Sequence, residues 1–312
     1  MLEEIWDFLR ALRSEKLIKF NHVLKIYNNK FLIYFVIIIM NKSFCINYDY
    51  IEFSMIVTSN EYFKNRFTLY KIVKESVNKI SMIVYCSILQ KMCFLKIKLL
   101  NDSSNANLNV YSLLKNNFHD NIEKIHDVVI SNKFIYILSE YICGHNLFEF
   151  NGKIDKNLLK NIINQTFEGF NFIHRLNIIH GDIKLENILL TAENVIKIID
   201  FDLSHICSNY ICSKVMFGSE NYIAPESFDL HIYSKRSDIW SFGILLYKFI
   251  LGKFPYKYKL RKSYHLYIRN NFKLLNLREL DNLIEIYGSD IINIIKKMLN
   301  FVDEHRPLDV HL

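Results

Sequence analysis

Glycine and proline, the residues that most often interrupt regular structure, are scarce in this sequence: 8 glycines and 3 prolines occur among 312 residues. No stretch rich in proline, glycine or serine is present, and no internal repeat occurs. This excludes a flexible linker between domains and a repeat protein. Isoleucine, asparagine, lysine, tyrosine and phenylalanine are abundant instead, a skew that an A+T-rich coding sequence would produce. A glycine missing from a motif can therefore reflect drift in composition as well as altered function.

Cysteine is also too scattered to form a metal or disulfide framework. The 6 cysteines include no C-x-x-C pair, and the closest two are Cys207 and Cys212. Zinc ligands and the disulfides of small secreted domains come in regularly spaced pairs. The pattern excludes both kinds of protein and favours a reduced, intracellular compartment, cytoplasmic or nuclear.

Long hydrophobic runs are missing, with one short exception, FLIYFVIIIM at residues 31–40. Ten residues fall short of the roughly 20 that span a bilayer. About thirty residues precede the run, which is more than an ordinary signal peptide carries ahead of its apolar part. We expect a buried strand or core segment and no membrane association. A recessed targeting signal or a membrane-associated segment is the alternative.

The excess of positive charge is moderate, and the N-terminal residues have a helical pattern. The formal net charge is +7, but basic residues do not cluster with stacking aromatics, so no nucleic-acid binding is predicted. Near the N-terminus, apolar residues recur at helical spacing, as at Leu2, Ile5 and Leu9. We predict a helix that packs on its own domain. Docking of a partner through residues 1–30 is the alternative.

The first half of the remaining chain has the texture of a β-sheet. From about residue 66 to 140, short runs rich in isoleucine, valine, tyrosine and phenylalanine alternate with polar turns. Examples are SMIVYCSIL (81–89), CFLKIKLL (93–100) and KFIYILSEY (133–141). Such runs predict antiparallel strands.

The second half is helical in texture. Apolar residues recur every three or four positions in 158–174 and 239–251, which predicts two long helices. The predicted fold class is therefore α+β, with a small antiparallel β lobe at about 66–140 and a larger, mainly helical lobe at about 141–312. A cleft should lie between them, and residues 1–65 form an N-terminal extension.

The residues with the clearest chemical meaning lie in IIHGDIKLENILL, residues 178–190. Asp182, Lys184 and Asn187 are spaced so that one loop can present all three to one cleft. The predicted hairpin ENILL-TAEN-VIKIID then returns the chain, and Asp200 emerges beside Asn187. Phosphoryl transfer needs a base, a cation on the transferred phosphate and hard oxygen ligands for Mg²⁺. The stretch supplies all three.

A series of further motifs extends this pattern. HGDIKLEN resembles the H-R-D-x-K-x-x-N catalytic loop of the eukaryotic protein kinases. IDFD (199–202) resembles their D-F-G, IAPE (223–226) their A-P-E, and HRP (305–307) their late arginine motif. The order and spacing agree over residues 66–312. The resemblance implies a bilobal protein kinase-like fold, the use of ATP and Mg²⁺, and a protein substrate.

The same resemblance implies roles for individual residues. Asp182 would be the catalytic base and Lys184 the contact to the γ-phosphate, while Asn187 and Asp200 would be the Mg²⁺ ligands. Lysine two residues after the base is the serine/threonine form, and Ser219 stands where that class keeps threonine or serine. This implies transfer to serine or threonine hydroxyls.

Two internal contacts of the large lobe are implied as well. Asp238 would hold the backbone of the catalytic loop. Glu226 would pair with Arg306.

Two departures in the large lobe concern regulation. Gly181 replaces the arginine that normally meets the phosphorylated activation loop, and Val215 stands at the acceptor position. Arginine and acceptor are missing together, so we predict activity that needs no activation-loop phosphorylation. Ser213 is the nearest alternative site. Asp202 replaces the last glycine of D-F-G, a change that some active plant and fungal kinases share.

The phosphate-binding loop of the small lobe departs furthest from the family pattern. Counting back from CFLKIK puts its three glycine positions at Ser76, Asn78 and Ser81, with Ile83 also among the expected ATP contacts. Glycine lets backbone N–H groups approach the phosphates without a Cβ clash. Serine and asparagine can form the turn but should hold phosphate less closely.

The remaining predicted ATP contacts lie on a strand and at the connection between the lobes. Lys96 is the predicted phosphate lysine, with Lys98 as the alternative, because both point to the same face of the strand. Glu140 and Ile142 are predicted nucleotide contacts. Phe94 stands where the family keeps alanine under the adenine, which threatens the fit of the nucleotide.

The acid that usually pairs with the phosphate lysine is missing. Its expected position is near Val110, and no acid occurs between Ser103 and His119. Glu75 and Glu123 are the candidates for a substitute. A poorly positioned lysine would lower the rate by about a hundredfold, at about 1.4 kcal/mol per tenfold.

Two hypotheses follow. The complete set Asp182, Lys184, Asn187 and Asp200 favours an active, divergent serine/threonine kinase. The missing glycines, the missing helix acid and Phe94 favour a pseudokinase that acts as a scaffold or allosteric regulator.

Overall fold

The computed structural model describes residues 61–76, 78–100, 104–131, 133–208, 210–212, 217–256 and 275–312. The predicted helix within residues 1–30, the apolar run at 31–40 and most of the predicted extension lie outside these ranges. Within them, none of the helices combines the length and apolar character that a membrane span requires.

The small lobe is built on a five-stranded antiparallel sheet that follows a short helix. The elements are α1 Glu61–Lys64, β1 Phe67–Ser76, β2 Lys79–Cys86, β3 Lys91–Leu99, β4 Ile125–Ser131 and β5 Phe134–Glu140. The strand order is β1-β2-β3-β5-β4, and every neighbouring pair is antiparallel. The three apolar runs form β2, β3 and β5 as predicted. Alternate side chains such as Val84 and Leu95 are fully buried, because successive residues of a strand face opposite sides.

One helix accompanies this sheet. Helix α2, Ser104–Asn116, lies between β3 and β4 in the chain and packs against β4. Val110, Tyr111 and Leu114 are buried at helical spacing. The segment after α2 then joins the large lobe, since Glu123 N–H donates to the Ile198 carbonyl at 2.9 Å. This contact brings Glu123 to the edge of the cleft.

The large lobe is mainly helical. Its helices are α3 Lys156–Arg175, α4 Pro225–Leu230, α5 Lys235–Leu251, α6 Arg278–Asp281, α7 Ile284–Tyr287 and α8 Ser289–Met298. Its short strands are β6 Gly144–Asn146, β7 Ile178–Ile179, β8 Ile188–Thr191, β9 Ile196–Ile198, β10 His205–Ile206, β11 Tyr210–Cys212 and β12 Ile232–Ser234. The two predicted long helices form α3 and α5, and the predicted hairpin forms β8 and β9. The bilobal α+β fold is confirmed.

Helix α5 is the centre of the large-lobe core. It begins with a capping box, in which Ser234 and Ser237 satisfy each other's backbone N–H groups, and it ends at Gly252 in the left-handed conformation, with φ of 70°. Apolar residues cover all its faces, and Trp240 and Leu245 are fully buried. A helix of this kind must be enclosed by protein. Its fixed first turn carries Asp238 into the site.

Candidate active site

Asp238 holds the backbone of the loop that carries the predicted catalytic residues. Its Oδ2 accepts from the His180 N–H at 2.9 Å and lies 3.0 Å from His174 Nε2, while its Oδ1 accepts from the Gly181 N–H at 2.9 Å. The carboxylate is buried, so these charge-assisted hydrogen bonds are shielded from water. The predicted contact of Asp238 with the loop backbone is confirmed.

The second predicted contact of the large lobe is also present. Arg306 Nη1 and Nη2 donate to the two carboxylate oxygens of Glu226 at 2.7 and 2.8 Å. The guanidinium also lies 5.0 Å from the centre of the Trp240 ring. The bidentate pair anchors the start of α4 to the C-terminal part of the lobe.

Asp182, Lys184 and Asn187 lie together, as the spacing predicted. Lys184 Nζ donates to Asp182 Oδ2 at 2.6 Å, and Asn187 Nδ2 donates to the Asp182 carbonyl at 2.8 Å. Ser219 Oγ donates to Asp182 Oδ1 at 2.7 Å and accepts from Lys184 Nζ at 3.0 Å. Each carboxylate oxygen of Asp182 therefore has a hydrogen-bond partner, and these partners fix the orientation of the carboxylate in the cleft.

The β8–β9 hairpin brings Asp200 beside this loop. The Ile199 N–H donates to the Asn187 carbonyl at 3.0 Å. This hydrogen bond joins the predicted metal ligand Asn187 to the residue that precedes the other predicted ligand, Asp200. Asp200 has a left-handed conformation, with φ of 66° and ψ of 74°. Such strain persists where surrounding contacts enforce it, and here the Asp200 N–H donates to Glu123 Oε1 at 2.8 Å.

Lys96, rather than Lys98, contacts Asp200. Lys96 Nζ donates to Asp200 Oδ1 at 2.6 Å, and its side chain is only 8% exposed. Lys98 Nζ instead donates to Asp202 Oδ1 at 3.1 Å. Burial alone would lower the pKa of Lys96, but the carboxylates of Asp200 and Asp202 outweigh it and hold the pKa well above its ordinary value. Lys96 as the phosphate lysine, with Lys98 as the alternative, stays a prediction.

Tyr111 occupies the place near Val110 where the helix acid was expected. Its hydroxyl accepts from Lys96 Nζ at 3.3 Å and donates to Asp202 Oδ1 at 2.7 Å, whereas Val110 is part of the core. A phenol thus links Lys96 to a carboxylate, and α2 contains no acidic residue. No motif of the sequence points to this tyrosine.

Of the two acids considered as substitutes, Glu123 lies beside the cluster. It is buried next to Asp200, and its charge acts on Lys96. Burial raises the pKa of Glu123 to about 7, against the opposing effect of Lys96. Glu75 lies near the end of β1, opposite Ile80.

The β1–β2 hairpin stands where the glycine-rich loop was predicted. The strands stay paired as far as Ser76 and Lys79, and Ser76 Oγ donates to the Lys79 carbonyl at 3.0 Å. The Asn78 carbonyl accepts from the Leu99 N–H at 3.0 Å. Ser81 is buried and faces Lys96 across β2 and β3. The two strands therefore stay paired up to Ser76 and Lys79.

Phe94 lies in the middle of a row that crosses three strands. Its cross-strand neighbours are Ile83 on β2 and Ser139 on β5. Phe94 is half-buried, and Ser139 is a small, buried residue. The large ring of Phe94 thus stands beside a small, buried side chain.

Glu140 and Ile142 lie where β5 leads into the large lobe. Glu140 Oε1 accepts from Lys197 Nζ at 2.7 Å and from the Lys124 N–H at 2.9 Å. The Glu140 side chain therefore links the connecting segment to the backbone of Lys124 and to the side chain of Lys197. Ile142 is half-buried just beyond it.

Gly181, in place of the usual arginine, fits closely against an aromatic ring. Its φ is +76°, and a Cβ there would lie 2.7 Å from Phe217 Cε2 and 2.9 Å from the Leu203 carbonyl oxygen. Phe217 stacks on Tyr233 with 3.6 Å between ring centres. The Tyr233 hydroxyl also accepts from the Phe217 N–H at 2.8 Å and donates to its carbonyl at 2.9 Å. Sequence reasoning missed this stack. Val215 and Ser213 lie outside the described residues.

No group of three or more histidine, cysteine or acidic residues suited to a metal ion occurs in the part of the chain that the structure describes. The predicted Mg²⁺ site differs from such a cluster, since it pairs Asp200 with an amide. The Asn187 amide nitrogen donates to Asp182, so the amide oxygen is the atom that can serve a metal. One carboxylate and one amide oxygen are hard donors of the kind that Mg²⁺ accepts alongside phosphate and water.

Comparison with known proteins agrees with the motifs and the fold. A family model described as "Protein kinase domain" matches residues 79–308. Similar curated proteins include SNF1-related protein kinase catalytic subunit alpha KIN12 of Arabidopsis thaliana, 32% identical over 170 residues, which are 51% of this chain and 34% of that protein. CBL-interacting serine/threonine-protein kinase 17 of Arabidopsis thaliana is 34% identical over 174 residues, 51% of this chain and 40% of that protein. The chain thus spans well under half the length of these relatives. With a family match over most of its length and the bilobal fold, the chain belongs to the protein kinase family.

Proposed function

We propose that the protein is a serine/threonine protein kinase that transfers the γ-phosphate of Mg-ATP to serine or threonine hydroxyls. The observation that carries the proposal is the joint placement of Asp182, Lys184 and Asn187 on one loop and of Asp200 against the buried Lys96. Asp182 is the proposed base that orients the acceptor hydroxyl. Lys184 steadies the transferred phosphate, and Lys96 is the proposed partner of the other phosphates.

The choice of serine or threonine as acceptor rests on Lys184 and Ser219. Ser219 bridges Asp182 and Lys184 through its hydroxyl, so the base and the cation are fixed relative to each other. The relative of 34% identity carries serine/threonine kinase in its name. We extend that acceptor class to this chain.

We further propose that activity needs no phosphate on the activation loop. In a kinase with arginine at the position of Gly181, a phosphate pairs with that arginine and orders the loop. Here Phe217, stacked on Tyr233, fills the space beside Gly181. Two hydrogen bonds between the Tyr233 hydroxyl and the Phe217 backbone hold the two residues together. An aromatic contact of this kind contributes about 0.5–1.5 kcal/mol beyond the area it buries.

A pseudokinase that acts as a scaffold or allosteric regulator is the second candidate. Tyr111 in place of the helix acid favours it, because the lysine lacks the charged partner that usually fixes it. The missing glycines of the β1–β2 hairpin and the ring of Phe94 also oppose close binding of ATP. In this alternative, the ion pair of Lys96 with Asp200 stabilises the cleft, and the protein does not turn over ATP.

The test uses the purified full chain with labelled ATP, Mg²⁺ and a generic protein acceptor, beside Asp182→Asn. The variant changes one oxygen to an amide nitrogen and keeps the size of the side chain. We expect transfer by the wild type and a loss of about a thousandfold or more in the variant. Phosphatase treatment should leave the wild-type rate unchanged. No transfer by the wild type, together with no thermal shift on addition of Mg-ATP, would favour the pseudokinase.

Partners and location are proposed from the sequence. Docking of a partner through residues 1–30 and an intracellular location both remain proposals. Deleting residues 1–65 should leave the compartment of a tagged chain unchanged. Relocation of the tagged chain would instead support the targeting alternative for residues 31–40.

A further inference from the structure

We propose that the Lys79 ammonium is a phosphate-binding group of the nucleotide site, taking over work that the glycine-rich loop does through backbone N–H groups. The inference rests on the proposed use of ATP. Lys79 was not among the residues that the motifs identify, since it lies between the predicted glycine positions Asn78 and Ser81.

The register of the hairpin puts three lysines on one face of the sheet. Lys79 pairs with Lys98 and Ser81 pairs with Lys96 across β2 and β3. Residues two apart on a strand point to the same side, so Lys79, Lys96 and Lys98 face the cleft together. Like charges placed opposite each other are destabilising unless something between them compensates. The arrangement is therefore costly without an anionic partner.

The protein itself supplies part of the negative charge that compensates the lysines. Lys79 Nζ forms a hydrogen-bonded ion pair with Asp202 Oδ2 and lies 3.9 Å from Asp200 Oδ1. Lys96 Nζ donates to both of these carboxylates, whereas Lys98 Nζ donates to Asp202. Three ammonium groups thus meet around two carboxylates, one of which is the predicted Mg²⁺ ligand Asp200. An anion is the ligand that such a cluster attracts.

Lys79 is the member of the cluster that can best reach a ligand. Its side chain is 29% exposed, against 8% for Lys96 and 16% for Lys98. Lys79 Nζ and Lys96 Nζ lie 3.9 and 2.6 Å from the same Asp200 oxygen, so the two like charges repel each other. A phosphate-borne negative charge would relieve that repulsion. Because Lys79 is partly buried, its attraction to a bound phosphate is screened by water less than that of an ion pair on the protein surface.

The turn explains why a side chain would be needed. The carbonyl of Asn78 is committed to Leu99 and that of Lys79 to Ser76 Oγ, so the hairpin is bound into the sheet. The Cβ atoms at the three glycine positions also keep the backbone away from a phosphate. A four-carbon stem can cross that distance and present a charged donor.

The test compares Lys79→Met with Lys79→Arg and with the control Lys71→Met, in full-length protein. Lys71 is exposed on β1 of the same hairpin. Dissociation constants for Mg-ATP and for adenosine would be measured by calorimetry, with melting temperatures to check folding. A charge-assisted hydrogen bond corresponds to about a ten- to hundredfold change in affinity.

We expect Lys79→Met to weaken Mg-ATP binding by about tenfold or more and to leave adenosine binding unchanged. Lys79→Arg should restore most of the loss, and Lys71→Met should match the wild type. Equal Mg-ATP affinity in Lys79→Met and wild type overturns the role of Lys79 while leaving the kinase proposal intact. An equal loss for ATP and adenosine also overturns it, since the effect would then be structural. A wild type that binds no Mg-ATP rejects the kinase proposal and this inference together.

Discussion

Replacing Glu123 by glutamine should change how the stability of the protein depends on pH. Glu123 is buried, its Oε1 accepts from the Asp200 N–H at 2.8 Å, and burial raises its pKa from 4.5 to about 7. Because the folded pKa lies above the unfolded value, the protonated form is favoured in the folded state. The resulting stability is fully present below pH 4.5 and is lost as the pH rises through 7.

The size of the effect follows from that shift. A difference of roughly 2.5 pKa units corresponds to about 3 kcal/mol, at about 1.4 kcal/mol per unit. Glutamine keeps an oxygen for the Asp200 N–H and never ionises. Relative to wild type, Glu123→Gln should therefore become more stable by about 2–3 kcal/mol between pH 5 and pH 8.

Urea unfolding followed by tryptophan fluorescence at pH 5 and pH 8 measures this difference. The wild-type-minus-variant value cancels the titration of groups remote from Glu123. The lowered pKa values of Asp200 and Asp202 and the raised pKa of Lys96 keep these neighbours charged between pH 5 and pH 8. Glu149→Gln serves as control, because Glu149 is exposed and its removal tests only the loss of a carboxylate. A difference that does not vary with pH, or that favours the wild type as the pH rises, would refute the reasoning.

Two further substitutions test other parts of the structure. Arg306→Met should lower the free energy of unfolding by about 3–5 kcal/mol, because it leaves the Glu226 carboxylate without its bidentate partner; the exposed Arg278→Met is the control in the same denaturation assay. Phe94→Ala should lower the dissociation constant of Mg-ATP several-fold, because it removes the ring from the row that also contains Ser139. Weaker ATP binding in Phe94→Ala would mean that the ring stacks on the nucleotide instead of obstructing it.

The catalytic loop could be predicted from the sequence because its contacts are local. Asp182, Lys184 and Asn187 lie within six residues, so their spacing nearly determines their geometry. Strands and helices whose apolar residues recur at a regular period, such as β3 and α5, could also be predicted from the sequence. Backbone hydrogen bonding between the Ile199 N–H and the Asn187 carbonyl then carries Asp200 to the loop.

The small-lobe side of the cleft could not be predicted, because its contacts join residues far apart in the chain. The hydroxyl that meets Lys96 belongs to Tyr111, and Glu123 reaches the site through a backbone bond with the large lobe. Neither position follows from any spacing within the sequence. The stack of Phe217 on Tyr233 likewise depends on how the activation segment lies over Gly181.

The sequence alone determined the family pattern, the fold class and the loop that carries Asp182, since these depend on local periodicity and short spacing. Only the tertiary structure decided that Lys96 rather than Lys98 meets Asp200, and that Lys79 joins them. Charges held on β2, β3 and the segment after β9 are far apart in the chain and come into contact only where the two lobes meet. At that point Coulombic attraction and burial, rather than chain spacing, select the partners.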